Sequence, residues 1–171
     1  VFKVFRLLQW EAVRDSQRYA QTISSLQEIS ESLRDIVVRS YLHVANNHSG
    51  LLPEQIAELD RIRGLVREIL NQTSHALQEG VCPDCKDIAR MNRELRILVE
   101  EFDENQVLRI QNNTSKTRLS ILFYSLVWDS LKIAEHTTHV LTVFEESMPG
   151  VDLGAAGGRL AATTPLNQPP G

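Results

Sequence analysis

Two cysteines three residues apart form the most reactive short motif in the chain. Cys82-Pro83-Asp84-Cys85 lies between two apolar helical patterns, in a tight turn where a helix begins. Thiols at this spacing can act as a redox pair or supply half of a zinc site. A structural zinc takes four ligands, whereas the chain has two cysteines, and the nearest histidine, His75, is seven residues away. We therefore interpret the motif as a loop with incidental thiols, and we keep the redox pair and the zinc half-site as alternatives.

A weak internal repeat indicates further candidate metal ligands. The segment 26–32 can be laid over the segment 130–136, and each has an isoleucine, a small residue, a glutamate and then serine or histidine. If the two polar patches face each other between helices, their carboxylates and imidazole can hold a divalent or ferric ion. The candidate ligands are Glu28, Glu31, Asp129, Glu135 and His136. The alternative is that any two amphipathic helices produce such a match, in which case these residues hold no cofactor.

The sequence contains no motif of an established enzyme class. There is no His-Glu-x-x-His zinc motif, no glycine-rich phosphate loop and no nucleophile elbow. A nucleophile, a base and an oxyanion-binding group are the minimum that a hydrolytic site requires. The formal net charge of −4 also argues against a nucleic-acid partner, which needs a basic surface. We expect a protein that is not an enzyme.

The elements that position these residues are long helices. Only three of the eight glycines and two of the six prolines precede residue 149, so little interrupts the chain before it. Apolar residues recur at steps of three and four over 15–44, 53–79, 84–112 and 115–147, and the first of these helices can extend to the N-terminus. The short connections favour antiparallel neighbours. The predicted fold is all-α, an elongated antiparallel four-helix bundle roughly 40 Å long.

Two of these helices carry patterns that bear on function. The first has an apolar stripe, which we expect an amphipathic helix to bury in the bundle. The seam of the fourth helix is apolar except for Asp129 and His136, which we expect to point into the bundle. We call the apolar set of the first helix the α1 stripe; it consists of Tyr19, Ile23, Leu26, Leu33, Val37 and Val44, with Ile29 and Ile36 widening it.

The two ends of the chain differ from its middle. The first ten residues form an apolar run with two cations, and a chain that starts on valine inside such a run is expected to be part of a larger protein. As an alternative, this run is an interface of a homodimer, made by Val1, Phe2, Phe5, Leu8 and Trp10. Residues 149–171 are rich in glycine, alanine and proline, and we expect a flexible tail outside a domain of residues 1–148.

The repeat resembles a motif of the PhoU family of helical regulators of phosphate uptake. That motif is of the type Leu-Glu-Arg-Ile-Gly-Asp-His, and Ile133-Ala134-Glu135-His136 is similar to its second half. Ile29-Ser30-Glu31 is similar more loosely, and Gln27 and Leu131 stand where the family has its leading glutamate. The resemblance implies a PhoU-like bundle and, by the family's chemistry, a metal-binding sensor as one alternative function.

A longer stretch is similar to the PhoU-like cytoplasmic C-terminal regions of inorganic phosphate transporters from Bacteroides-like bacteria. The similarity rests on the segments 43–48, 53–55, 109–110 and 120–124 and on the Asn-Thr-Ser turn between the last two helices. It implies a regulatory domain of a transporter of the PiT or sodium/phosphate cotransporter type. The implied partner is the membrane portion of that transporter, and the implied location is the cytoplasmic face of the inner membrane. A plain dimerising bundle is the remaining alternative.

Overall fold

The computed structural model describes the backbone of residues 2–80, 82 and 85–146, and the side chains of 13–80, 82 and 85–146. The chain forms α1 (Phe2–Ala45), α2 (Pro53–Glu79), α3 (Cys85–Gln111) and α4 (Thr117–Glu145). The described residues contain helices and turns and no strand. The prediction of an all-α fold with four long helices is confirmed.

The helix ends lie where the sequence places stop and start residues. Pro53 opens α2, where a missing backbone N–H costs nothing, and the Gln55 side chain accepts a hydrogen bond from the N–H of Leu52 at 2.9 Å. Gly80 ends the same helix with a φ of 70°, a left-handed conformation that glycine adopts without strain. Asn47 and Asn113 take the same region at the ends of α1 and α3.

The core lies among α2, α3 and α4. It is built by the apolar face of each of these helices. On α3 that face is a seven-residue repeat, and all of its members are buried: Ile88, Met91, Leu95, Leu98 and Phe102. The largest fully buried apolar side chains are Phe102, Phe123, Ile62, Ile69, Ile88, Leu95, Val99 and Val127. Contacts join the start of α2 to the end of α3 and the start of α3 to the end of α4, so neighbours along the chain run antiparallel.

Within the described residues, α1 packs against α4 alone. The two helices are antiparallel, because Arg18, in the middle of α1, contacts Glu146 just past the end of α4, whereas Arg39, nearer the C-terminal end of α1, contacts Asp129. Among the described side chains of α1, Ser25 and Ser32 are the buried ones, with 2% and 4% of their surfaces exposed. Such small side chains let the two helices approach closely. The result is a three-helix core with α1 lying along the outer side of α4.

The expectation that the α1 stripe is buried is wrong for its principal members. Ile29 and Ile36 do pack against the core, but the other six side chains are exposed, from 46% at Ile23 to 73% at Val44. The reason is that the face of α1 in contact with α4 is rotated about one residue from the stripe, which turns the stripe by about 100° toward solvent. A continuous apolar helix face is therefore left without a partner in the described chain.

Two expectations fall on residues that the structure does not describe in full. The backbone of α1 begins at Phe2, so Val1 lies outside the described residues, and the side chains of Phe2, Phe5, Leu8 and Trp10 do as well. The expected flexible tail, 149–171, is also outside them. Among the described helices, none combines the length and the apolar character that crossing a membrane requires.

Candidate functional site

Asp129, the acidic residue that the sequence places on the α4 seam, is buried between α1 and α4. Only 5% of its surface is exposed. Its Oδ2 accepts a hydrogen bond from Nη1 of Arg39 at 3.3 Å, and Oδ1 lies 3.9 Å from Nζ of Lys132. Arg39 also donates to Asp35 at 3.1 Å. The carboxylate is thus one end of a salt-bridge network that ties the C-terminal part of α1 to α4.

Of the other predicted metal ligands, Glu135 and Glu31 contact residues that Asp129 does not contact. Glu135 faces α3, where its carboxylate lies 2.7 Å from Nη2 of Arg96. Glu31 is exposed on α1 and accepts a hydrogen bond from Gln27 of the same helix. Glu28 and His136 are half-buried. Asp129 and Glu135 point to different neighbours because six residues separate them on one helix, and in the described chain these five residues do not converge as one ligand group.

Burial of Asp129 has a consequence for stability that can be measured. Desolvation raises the pKa of this carboxyl above 3.8, Asp35 raises it further, and Arg39 and Lys132 oppose the rise. A raised pKa in the folded state means that the protonated form stabilises the fold. This contribution is complete below pH 3.8 and is lost as the pH rises through the folded pKa.

We therefore expect Asp129→Asn to become progressively more stable relative to the parent chain as the pH rises from about 4 to about 7. Urea unfolding at several pH values measures the difference. Asp60→Asn, an exposed carboxylate on α2, is the matched control, and its difference from the parent should change little. If the difference in free energy of unfolding between Asp129→Asn and the parent chain stayed constant with pH, it would contradict the raised pKa of Asp129.

A second polar group is buried where α2 begins and α3 ends. The Gln106 amide nitrogen donates to the hydroxyls of Ser115 and Ser120 at 3.0 and 2.8 Å. Its oxygen accepts from Gln55 and from Arg109, each at 2.8 Å. Gln55, Arg109 and Ser120 come from three different helices, α2, α3 and α4, and the fold brings them to one end of the bundle. Every hydrogen-bonding atom of the Gln106 amide has a partner, so the network gives this end a single arrangement.

A cavity of about 330 Å³ lies beside this polar end, between the end of α1 and the first turn of α4. Its lining includes His43, His48, Lys116 and Arg118 and no carboxylate among the described residues. His43 donates from Nε2 to the carbonyl of Ser49 at 2.8 Å, and Arg118 lies 3.4 Å from Nε2 of His48. A lining with these donors and charges favours anions over cations.

The two cysteines lie at the opposite end, where α3 begins and α4 ends. Cys82 and Cys85 form a disulfide with a Cα–Cα distance of 5.4 Å. Cys85 also contacts the carboxylate of Glu145, the last residue of α4. Burial raises the pKa of that carboxyl. The sequence led us to interpret the two cysteines as incidental thiols, whereas in the structure they are bonded to each other. Glu145 is 60 residues from Cys85, so no local pattern could have indicated it.

Comparison with known proteins finds no relative of the chain. No protein-family model, no curated protein and no solved structure matches the chain.

Proposed function

We propose that the chain is a non-enzymatic regulatory domain of an inorganic phosphate transporter, and that it acts by packing α1 against another helix of that transporter. The observation that carries the proposal is the exposed α1 stripe. Its members follow one another at steps of three, four and seven residues, which is the spacing that one helix presents to another. The transporter is suggested by the resemblance of the segments around His43 and Arg109.

The energetics favour a partner for this face. Single exposed apolar residues are normal on a protein surface, but a contiguous stripe of them marks an interaction site. Burial of one leucine or valine side chain contributes about 1.5–3 kcal/mol. The stripe spans Tyr19 to Val44, which at 1.5 Å per residue is close to 40 Å, enough for several turns of a facing helix. The anion-favouring cavity beside His48 is a further feature that suits a domain of a phosphate transporter.

The test is a charge placed in the stripe of the full-length parent transporter. Leu26→Lys with Leu33→Lys should abolish the response of uptake to phosphate, as deletion of the whole domain should, at an unchanged amount of transporter. Both leucines are about half exposed, so each change should alter the free energy of unfolding of the domain by less than about 0.5 kcal/mol. Ile97→Lys with Leu108→Lys, two exposed positions on α3, is the matched control and should leave regulation intact.

Three outcomes contradict the proposal. Deletion of the domain could leave uptake and its regulation unchanged, or the stripe variant could behave like the α3 control. Sedimentation equilibrium of the isolated chain tests the third outcome, a second copy of the chain as the partner. A dimer that Leu26→Lys with Leu33→Lys converts to a monomer would assign the stripe to that second copy and overturn its assignment to the transporter.

A further inference from the structure

Three metal-ligating side chains from distant parts of the chain meet at the end of the bundle that holds the disulfide. Cys82 lies between α2 and α3, Cys85 is the first residue of α3, and Glu145 is the last residue of α4. The two sulfurs and a carboxylate oxygen all lie within 4.8 Å of one another, and all three side chains are half-buried. They meet because α3 and α4 are antiparallel, which places the start of one beside the end of the other.

The surroundings of Glu145 favour a cation. The carboxylate forms no ion pair with any lysine or arginine of the described chain. A half-buried carboxylate without a positive partner is costly when ionised. The residue also lies at the C-terminal end of α4, where the helix dipole carries a partial negative charge. Both effects are relieved by a positive ion bound at the carboxylate.

The donor set specifies which cation. Thiolates select borderline and soft ions, whereas magnesium and calcium prefer oxygen ligands alone. Zinc accepts two sulfurs and one carboxylate oxygen, with bond lengths of about 2.3 and about 2.0–2.2 Å. These atoms already lie within 4.8 Å of one another, so once the S–S bond is broken, side-chain rotations can bring them around one ion at those distances. A water molecule would complete the tetrahedron.

We propose that the reduced side chains of Cys82 and Cys85, together with Glu145, bind one zinc ion, and that the disulfide is the oxidised, metal-free form of the same site. A dithiol reductant supplies two electrons and two protons. The S–S bond breaks, both cysteines become thiols, and the reductant becomes a disulfide. Zinc then replaces the two thiol protons, which are released to solvent. The bound ion would tie the α2–α3 connection to the end of α4.

Cobalt titration of the full chain, reduced with a phosphine, tests the site directly. We expect thiolate-to-cobalt charge-transfer absorption that saturates at one ion per chain and is displaced by zinc. Cys82→Ser and Cys85→Ser should each diminish that absorption, and chain kept in the disulfide form should show none. Glu145→Gln should weaken zinc affinity at least about tenfold. Glu146→Gln, the exposed neighbouring carboxylate, is the matched control and should bind as the parent chain does.

Two results overturn the proposal. The first is the absence of charge-transfer absorption in the reduced parent chain, and the second is equal zinc affinity in Glu145→Gln and Glu146→Gln. Glu145→His covers the case in which Glu145→Gln does not fold, because an imidazole also binds zinc and should preserve the absorption. Since the readout is metal binding by this chain, its outcome is separate from that of the regulatory function proposed above.

Discussion

Phe102→Ala is expected to lower the free energy of unfolding by about 3–5 kcal/mol, which is the usual cost of removing a buried aromatic side chain. Phe102 has 0% of its surface exposed and lies in the core shared by α2, α3 and α4. The loss has two parts: the transfer free energy of the ring, and the energetic cost of the cavity that its close-packed neighbours cannot fill. The guanidinium of Arg61, 5.2 Å from the centre of the ring, loses its aromatic partner as well.

Urea unfolding followed by circular dichroism measures this change as a shift of the midpoint at constant slope. Ile97→Ala is the matched control on the same helix, because Ile97 is 64% exposed and should lose less than about 0.5 kcal/mol. Equal losses for the two variants would contradict the core described here. Comparable stability of Phe102→Ala and the parent chain would do the same.

Glu58→Gln should cost about 3 kcal/mol, because it removes one partner of a largely buried ion pair. The two oxygens of Glu58 accept hydrogen bonds from Nη1 and Nη2 of Arg109 at 3.1 and 2.7 Å, and Asn105 donates to the same carboxylate at 3.0 Å. The guanidinium also lies 5.2 Å from the ring centre of Phe123. Without the Glu58 carboxylate, the largely buried guanidinium of Arg109 is left without its counterion.

The matched control is Asp60→Asn, which breaks the exposed pair of Arg63 and Asp60 on the same helix. It should change the free energy of unfolding by less than about 0.5 kcal/mol, as exposed ion pairs contribute little. The double variant Glu58→Gln with Arg109→Met should recover part of the loss, since it removes the uncompensated charge. If the two single variants at Glu58 and Asp60 were equally stable, the ion pair of Glu58 and Arg109 would contribute no more to the free energy of unfolding than an exposed pair does.

Much of this fold can be predicted because its signals are local. A proline at position 53 and a glycine at position 80 act through their own backbone angles, so they mark the ends of α2 without any tertiary contact. The seven-residue repeat of α3 predicts one buried face, and Leu95 and Phe102 of that face are indeed fully buried. The burial of Asp129 on the α4 seam was predicted in the same way and is confirmed.

The position of α1 could not be predicted in the same way. An apolar stripe indicates that a helix face favours a partner, but it does not say which element supplies the partner or whether that element lies within the chain. In the structure, Ser25 and Ser32 permit a close approach of α1 to α4, and Ile29 and Ile36 complete that contact. The six principal residues of the α1 stripe consequently remain exposed.

The candidate site likewise has features that the sequence determines and features that depend on how the helices pack. The sequence by itself determined four long helices, their ends, and the chemical types of the groups that could act, including the thiols of Cys82 and Cys85. Only the tertiary structure decided that Asp129 meets Arg39, that Glu135 meets Arg96, and that Glu145 joins the two cysteines. The physical reason is that helix periodicity relates residues within one or two turns of each other. Contacts between helices depend instead on the rotation and direction of each helix in the packed bundle, which the whole chain sets together.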